Sequence, residues 1–246
     1  MKEFTIDINC DLGEGVGNDH LLMPHLSSCN IACGGHAGDD DTMRSTITLA
    51  LAHQVKIGAH PSFPDRKNFG RIDMHLPIDE LEAIISSQID RLHKLLEEQH
   101  TIMNHIKPHG ALYNMAAVDQ DTAEAIIRAV VAYSGKVFLY VPFGSVIEQR
   151  ALEKGIPIKY EAFADRNYNS DLTLVSRNEV NALLKDADEI FRHIVPIIKE
   201  QKVMSVDGSW IPIKADTLCI HGDNPNAPEI AEHLSVKLQE VEINIL

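Results

Sequence analysis

The 246-residue chain carries 22 Lys and Arg against 36 Asp and Glu, which gives a formal net charge of −14 at pH 7. Nucleic acids are bound through clustered Lys and Arg, so this composition argues against a nucleic-acid partner. The length suits one large domain with a full core, and we predict a single domain over residues 1–246. An anionic substrate must then be held by a few well-placed cations.

The cysteines and the apolar segments bear on the compartment. All four cysteines lie in or beside apolar, small-residue stretches: Cys10, Cys29, Cys33 and Cys219. This favours buried, reduced thiols rather than disulfides or a cysteine metal site. The first residues form a strand pattern instead of a basic stretch followed by an apolar run, and no stretch approaches the ~20 apolar residues of a membrane span. We expect a cytoplasmic protein without membrane contact.

Strand and helix patterns alternate along the chain, as in βα units around a parallel sheet. Strands are predicted at Phe4–Asn9, Asn30–Cys33, Lys56–His60, Ile102–Lys107, Val137–Val141, Ile158–Ala164 and Thr217–His221. Helical periodicity predicts helices at Asp39–His53, Ile78–Gln99, Thr122–Val131 (capped by Asp121), Glu179–Glu200 and Ala227–Val241. Seven strands with intervening helices predict an α/β fold, an irregular seven-stranded (β/α) barrel, with an open doubly wound sheet as the alternative.

Two local signals modify this pattern. Asp207-Gly208 lies at the centre of Val203–Ile213, which predicts a β-hairpin inserted before the last strand rather than a barrel strand. Pro196 is expected to kink the helix in which it lies.

Charged or histidine side chains lie at the end of six of the seven predicted strands or within three residues after it, which is where barrel enzymes place their catalytic groups. The strongest example is the segment from Lys107 to Asn114, Lys-Pro-His-Gly-Ala-Leu-Tyr-Asn. Lys107 can hold a carboxylate or phosphate or, if desolvated, act as a base, and an ion pair with an acidic neighbour such as Asp11 or Glu161 is the alternative. We interpret Lys107 and His109 as a site pair.

The histidine His105 stands four residues before His109, a spacing found in some metal sites. That spacing places two ligands on one face only in a helix, and Pro108 and the strand pattern exclude a helix here. We therefore interpret His105 as structural.

The first three strands supply further candidates. Strand periodicity places Asn9 and Asp11 on one face, and Asp11 can serve as general base, as metal ligand or as an acceptor for substrate amides, with turn capping as the alternative. His36 and His60 each follow a strand, as His109 does, which favours a site role over histidines satisfied by loop carbonyls.

The last two strands are more ambiguous. Glu161 and Asp165 share a face of the sixth strand, but Asp165 and Arg166 are neighbours and can form a mutual ion pair. Asp223 can orient a histidine or cap the final helix. The sequence has no Gly-x-Ser-x-Gly nucleophile elbow and no Walker A loop, so nucleotide phosphates would be bound by other loops or by a partner subunit.

Several stretches in order resemble the LamB/YcsF family, whose members include the A subunit of the bacterial ATP-dependent 5-oxoprolinase. They are Asn9–Glu14, Asn30–Gly34, His36–Asp39, Ile57–Pro61, Phe69–Arg71, Lys107–Asn114, Glu161–Tyr168 and His221–Pro225. The resemblance implies a (β/α) barrel of the glycosidase/deacetylase kind. It also implies that the chain works with subunits B and C to open 5-oxo-L-proline to L-glutamate at the expense of ATP.

Such a coupling is chemically reasonable, because an unstrained lactam resists water and phosphorylation of its carbonyl oxygen creates a leaving group. The expected catalytic residues are Asp11, His36, His60, Lys107, His109, Glu161 and Asp165. The residues expected to bind substrate or phosphate are Asn9, Glu14, Arg71, Asn114, Arg166, Arg177, His221 and Asp223. ATP is the expected co-substrate, and a need for a divalent metal stays open.

Two other functions fit the same residues. An Asp and several His at one barrel end also fit a metal-dependent deacetylase or amidohydrolase. Alternatively, the chain is a non-catalytic subunit that binds the lactam and presents it to partners.

Overall fold

Seven parallel strands close into a barrel in the computed structural model, which describes residues 3–246. The strands of the chain are β1 (Phe4–Leu12), β2 (Ser28–Ala32), β3 (Lys56–His60), β4 (His105–Ile106), β5 (Phe138–Pro142), β6 (Ile158–Phe163), β7 (Lys202–Met204), β8 (Trp210–Pro212), β9 (Thr217–Ile220) and β10 (Ile243–Ile245). The barrel runs β1-β2-β3-β4-β5-β6-β9 and closes by pairing β9 with β1. The barrel prediction is confirmed, and the open sheet is excluded.

Helices cover the outside of the barrel. They are α1 (Asp19–Leu22), α2 (Asp40–Ala52), α3 (Ile78–Glu98), α4 (Gly110–Ala116), α5 (Gln120–Val131), α6 (Val146–Glu153), α7 (Ala187–Glu200) and α8 (Ala227–Glu240). The prediction located α2, α3, α5 and α8 to within two residues. The five predicted helices did not include α1, α4 and α6, which span too few turns to show a clear period.

Several predicted boundaries were wrong, among them the end of β1, which was predicted at Asn9 and lies at Leu12. The helix predicted from Glu179 begins at Ala187, because the preceding loop is tied by backbone hydrogen bonds to the segment after β6, including Leu184 N–H to the Asp165 carbonyl at 2.9 Å. The cap of α5 is Asp119, whose side chain accepts from Thr122 N–H, rather than Asp121. The strand predicted from Ile102 begins at His105, since Ile102 is 80% exposed outside the barrel.

The insertion before the last barrel strand is a hairpin, as predicted, with β7 and β8 antiparallel. Pro196 lies inside α7. The prediction missed β10, which follows α8 and pairs in parallel with Phe4–Ile6 of β1. The first strand therefore contacts β10 at its start and β9 further along.

Alternation along the strands separates an apolar outer face from a polar interior. On β1, Ile6, Ile8 and Cys10 are fully or almost fully buried, while the side chains of Asp7 and Asn9 form hydrogen bonds to Thr217 on the neighbouring strand β9. Barrel interiors are commonly packed with branched apolar side chains, whereas this one is filled largely by a hydrogen-bonded polar network. Polar groups away from water must be paired, so the network fixes the positions of its members.

The lower part of that network lies below the strand ends that carry the candidate residues and is joined to them through Asn30. Asp7 accepts from Ser28 Oγ at 2.7 Å and from Thr217 Oγ1 at 2.6 Å. His105 stacks on Tyr140 with ring centroids 4.0 Å apart, and its Nε2 donates to Asn30 Oδ1 at 2.6 Å. These contacts give His105 a packing role inside the barrel.

The cysteines are buried thiols, as the sequence predicts. Cys10, Cys29, Cys33 and Cys219 are all buried and unbonded to one another. Among residues 3–246, no helix combines the length and the apolar character that crossing a bilayer requires.

Gly58 of β3 gives a test of the packed interior, because a Cβ built there would lie 2.1 Å from His105 Nε2. We expect Gly58→Ala to lower the free energy of unfolding by about 1–3 kcal/mol through overpacking. The measurement is urea unfolding of Gly58→Ala, His105→Ala and the double variant. If the clash is the cause, the double variant loses less unfolding free energy than the sum of the losses in the two single variants. Losses that simply add would contradict the clash.

Candidate active site

A pocket of about 500 Å³ opens at the end of the barrel where the parallel strands finish. Its lining includes the predicted candidates Asp11, His60, Arg71, Lys107, His109, Asn114, Arg166, Arg177 and His221. These residues come from loops and strand ends that are far apart in sequence. The parallel arrangement brings them together because every barrel strand ends on the same side.

The Lys107 ammonium lies buried between two carboxylates. Its Nζ is 2.8 Å from Asp11 Oδ1 and 3.0 Å from Glu161 Oε1. Burial alone would lower the pKa of Lys107, but Asp11, Cys219 and Glu161 outweigh it and raise that pKa well above its usual value. The ion pair that the sequence left as an alternative is therefore present, and Lys107 acts as a fixed positive charge rather than as a base.

Asp11 is held by three neighbours. Its Oδ1 accepts from Lys107 and from Asn30 Nδ2 at 2.8 Å each, while Oδ2 lies 3.3 Å from His60 Nε2. Burial opposes ionisation, yet the charges of His60 and Lys107 keep the pKa of Asp11 well below its usual value. Asp11 does not cap the turn after β1; Asp19 does so by accepting from Gly13 N–H at 2.9 Å.

Asn9 and Glu161 lie one layer below the pocket and are not part of its lining. Asn9 Nδ2 donates to Glu161 Oε1 at 3.0 Å and to Thr217 Oγ1 at 2.8 Å, and its Oδ1 accepts from Asn30 at 2.7 Å. With its amide used by neighbours, Asn9 supports Asp11 and Lys107 from below.

Three histidines and Glu14 form a cluster beside Asp11. His60 Nε2 lies 2.9 Å from His109 Nδ1, and His36 Nε2 lies 2.9 Å from Glu14 Oε1. The rings of His36 and His109 stack in parallel at 3.7 Å. The segment after β4 continues to bond to β3, with His109 N–H donating to the Pro61 carbonyl at 2.8 Å, which places His109 beside His60.

This cluster could hold a divalent metal ion. One ligand atom from each of Glu14, His36, His60 and His109 lies within 4.8 Å of the other three. Imidazole nitrogens with one carboxylate are a common donor set for transition metals. Burial and the nearby His60 lower the pKa of His36 to about 2, and burial with His36 and His60 lowers the pKa of His109, so both rings are neutral ligands at pH 7.

A second acid–base pair lies on another wall of the pocket. Asp165 Oδ1 is 2.7 Å from His221 Nδ1, and Asp165 Oδ2 accepts from Asn224 Nδ2 at 3.1 Å. Although burial opposes it, the charge and hydrogen bond of His221 lower the pKa of Asp165. The predicted alternative of an Asp165–Arg166 ion pair is wrong, because Arg166 donates to the carbonyls of Val175 and Ala182 instead.

Three arginines surround the mouth of the pocket. Arg71 and Arg177 both pair with Asp223, the latter at 3.4 Å, so Asp223 neither orients a histidine nor caps α8. Arg166 is 5% exposed and has no carboxylate within ion-pairing distance among the described residues. Burial and the charge of Arg177 lower the pKa of Arg166 to about 10, so it stays cationic at pH 7.

The sequence missed some members of the site. Tyr113 and Phe163 line the pocket, and Asn30 bridges Asn9 and Asp11. The signal for Asn30 was its position on a predicted strand beside β1, but its register with Asp11 appears only in the sheet. Conversely, Glu14 and His36 belong to the cluster next to the pocket and not to its lining.

Replacement of Lys107 by Met tests how far the site depends on its buried ion pair. We expect Lys107→Met to lower the free energy of unfolding by about 3–5 kcal/mol, because Asp11 and Glu161 lose their countercharge away from water. Chemical denaturation measures this loss. The matched control is Lys237→Met, which removes an exposed pair with Glu240 at 2.8 Å and should leave the unfolding midpoint unchanged. Equal effects would refute the assignment.

Comparison with known proteins assigns the chain to a family. A crystal structure of a lactam utilization protein from Thermus thermophilus is 37% identical, with 98% of each chain covered and a TM-score of 0.92. A protein of Enterococcus faecalis, provisionally assigned to cellobiose-phosphate cleavage, is 11% identical over 100% of this chain and 97% of its own, with a TM-score of 0.56, and shares the fold alone. A model of the LamB/YcsF family matches residues 6–246, and the chain belongs to the LamB/YcsF family.

Proposed function

We propose that this chain is the subunit that binds 5-oxo-L-proline and opens its lactam to give L-glutamate, in a reaction coupled to ATP hydrolysis and carried out with subunits B and C. Family membership and the 37% identity to a lactam utilization protein support a lactam as substrate. The observation that carries the chemistry is the ionised Asp11 on the pocket floor, held through one oxygen by Lys107 and Asn30.

Asp11 is suited to activate the attacking water. Its Oδ1 is occupied by two donors, which leaves Oδ2 as the oxygen that can accept a proton from water. The charges of His60 and Lys107 keep the carboxylate ionised at neutral pH, because they lower the pKa of Asp11. A general base must be ionised and within hydrogen-bond reach of the proton it removes, and Asp11 meets the first condition through its own packing.

The Asp165–His221 pair is suited to protonate the ring nitrogen as the amide bond breaks. Asp165 faces His221 Nδ1 at 2.7 Å, and His221 lines the pocket. A carboxylate in this position fixes the proton on Nδ1 and stabilises the imidazolium, so that Nε2 is the nitrogen that exchanges protons with a substrate. The base and the acid then lie on different walls of one pocket.

Binding of the substrate's anionic groups falls to the arginines. Arg71 and Arg177 are partly exposed at the mouth and share Asp223, so an incoming carboxylate or phosphate can take over their hydrogen bonds. In the proposed reaction the role of ATP is to phosphorylate the lactam oxygen, which would make the carbonyl carbon more electrophilic. The ATP requirement and the two partner subunits rest on the family resemblance.

The test is glutamate release by the chain reconstituted with subunits B and C and ATP. We expect Asp11→Asn to lower kcat about 10²–10⁴-fold, because the side chain keeps its shape but loses the ability to take a proton. The matched control is Asp121→Asn, an exposed carboxylate in the first turn of α5, which should retain activity. Full activity of Asp11→Asn, or glutamate release without this chain, would refute the proposal.

Arg177 gives a second test, directed at substrate recognition. We expect Arg177→Ala to weaken binding of 5-oxoproline about 10–100-fold, the usual cost of a lost hydrogen bond to a charged group. Isothermal titration with 5-oxoproline and with 2-pyrrolidinone, the same ring without the carboxylate, separates charge recognition from general damage. Binding of 2-pyrrolidinone should be unchanged, and an equal loss for both ligands would contradict this role.

A metal-dependent amide hydrolysis without ATP is the second candidate, favoured by the Glu14, His36, His60 and His109 cluster. The same glutamate assay distinguishes the two functions. Turnover by the chain alone, independent of ATP and abolished by a chelator, would replace the ATP-coupled proposal.

A further inference from the structure

Two backbone carbonyls fix the ring protons of His60 and His109. His60 Nδ1 lies 2.7 Å from the Lys107 carbonyl, and His109 Nε2 lies 3.0 Å from the Phe69 carbonyl. A carbonyl can only accept, so each of these nitrogens must carry a hydrogen. In neutral imidazoles the other nitrogens, His60 Nε2 and His109 Nδ1, then present lone pairs.

Those two lone pairs face each other at 2.9 Å. With no hydrogen between them, two acceptors at hydrogen-bond distance repel, and Asp11 Oδ2 at 3.3 Å from His60 Nε2 adds a third acceptor. The side chains therefore leave a place where a cation is required. An extra proton, which would charge His60, or a metal ion bound to His60 Nε2 can fill that place, and either one supplies the positive charge beside Asp11 that lowers the pKa of Asp11.

The surroundings favour a metal ion over a proton. A proton bridges two atoms, whereas four donor atoms converge here: Glu14 Oε1 also lies 3.5 Å from His109 Nδ1 and 2.9 Å from His36 Nε2. The Glu14 side chain is 4% exposed, and among the described residues only histidines lie within ion-pairing distance of it. Lys107 and Arg71 are paired with other carboxylates. A divalent ion would supply the missing positive charge.

We propose that Glu14, His36, His60 and His109 bind one divalent first-row transition metal ion, through Glu14 Oε1, His36 Nε2, His60 Nε2 and His109 Nδ1. Three imidazoles and one carboxylate suit Zn²⁺, Co²⁺ or Ni²⁺ better than Mg²⁺ or Ca²⁺, which prefer oxygen ligands. The Lys107 and Phe69 carbonyls are the outer partners that orient two of the ligands.

The site is connected to the substrate pocket. His60, His109 and Asp11 line that pocket, so an ion in the cluster lies at its floor, next to the carboxylate assigned to water activation. A metal there can polarise a carbonyl oxygen or a water molecule. The binding itself does not depend on which amide the protein opens.

The experiment measures metal binding by the full-length protein after chelator treatment and dialysis. Zn²⁺ and Co²⁺ are titrated separately, with metal content from elemental analysis and the visible absorption of Co²⁺ as readouts. We expect one ion per chain and a cobalt spectrum with nitrogen ligands. His109→Ala and Glu14→Gln should each weaken binding at least 10-fold.

The matched control is His221→Ala, which removes a pocket histidine that is paired with Asp165 and lies outside the cluster. It should bind metal like the unmodified protein. Near-UV circular dichroism checks that each variant is folded. If the unmodified protein shows no saturable binding of either ion, a proton lies between His60 Nε2 and His109 Nδ1 instead, and the proposal is overturned whether or not the variants fold. Stoichiometric binding that survives both cluster substitutions also overturns it.

Discussion

The site depends on the buried ion pairs between Lys107 and the carboxylates of Asp11 and Glu161. Removing an ammonium from water is costly, and two carboxylates with further hydrogen bonds offset that cost. The same contacts keep Asp11 ionised and use one of its oxygens, so a single interaction fixes both the charge and the orientation of the group on the pocket floor. The stability of the barrel and the chemistry of the pocket are therefore linked.

The hydrogen-bonded polar interior restricts the positions of the side chains on the pocket floor. Asn30 joins Asn9 to Asp11, and His105 on β4 donates to Asn30 on β2 past the intervening strand β3. Each member is satisfied only when its neighbours keep their positions, so the network resists small displacements that an apolar core would tolerate. The floor presents the histidine cluster and the carboxylate at fixed distances, as acid–base and metal chemistry both require.

Charge is distributed unevenly between floor and mouth. Acceptors gather at the floor and beside it, from Asp11, Glu14 and three imidazoles, while Arg71, Arg166 and Arg177 surround the opening, and Arg71 and Arg177 share Asp223 as a partner. In a chain of net charge −14, this local excess of cations favours a small anion at the mouth, as the proposed binding of the substrate's carboxylate requires. The arrangement fits a compact amide that carries a carboxylate.

The sequence by itself determined the barrel and indicated many of the residues that line the candidate pocket, because strand periodicity and the side chains near each strand end are local signals that survive folding. It identified Asp11, His60, Lys107 and His109 from their positions after strands. Only the tertiary structure decided that Lys107 pairs with two carboxylates and that two histidine lone pairs meet. Partners and ring orientations depend on register and closure between strands distant in sequence, and no local pattern encodes them.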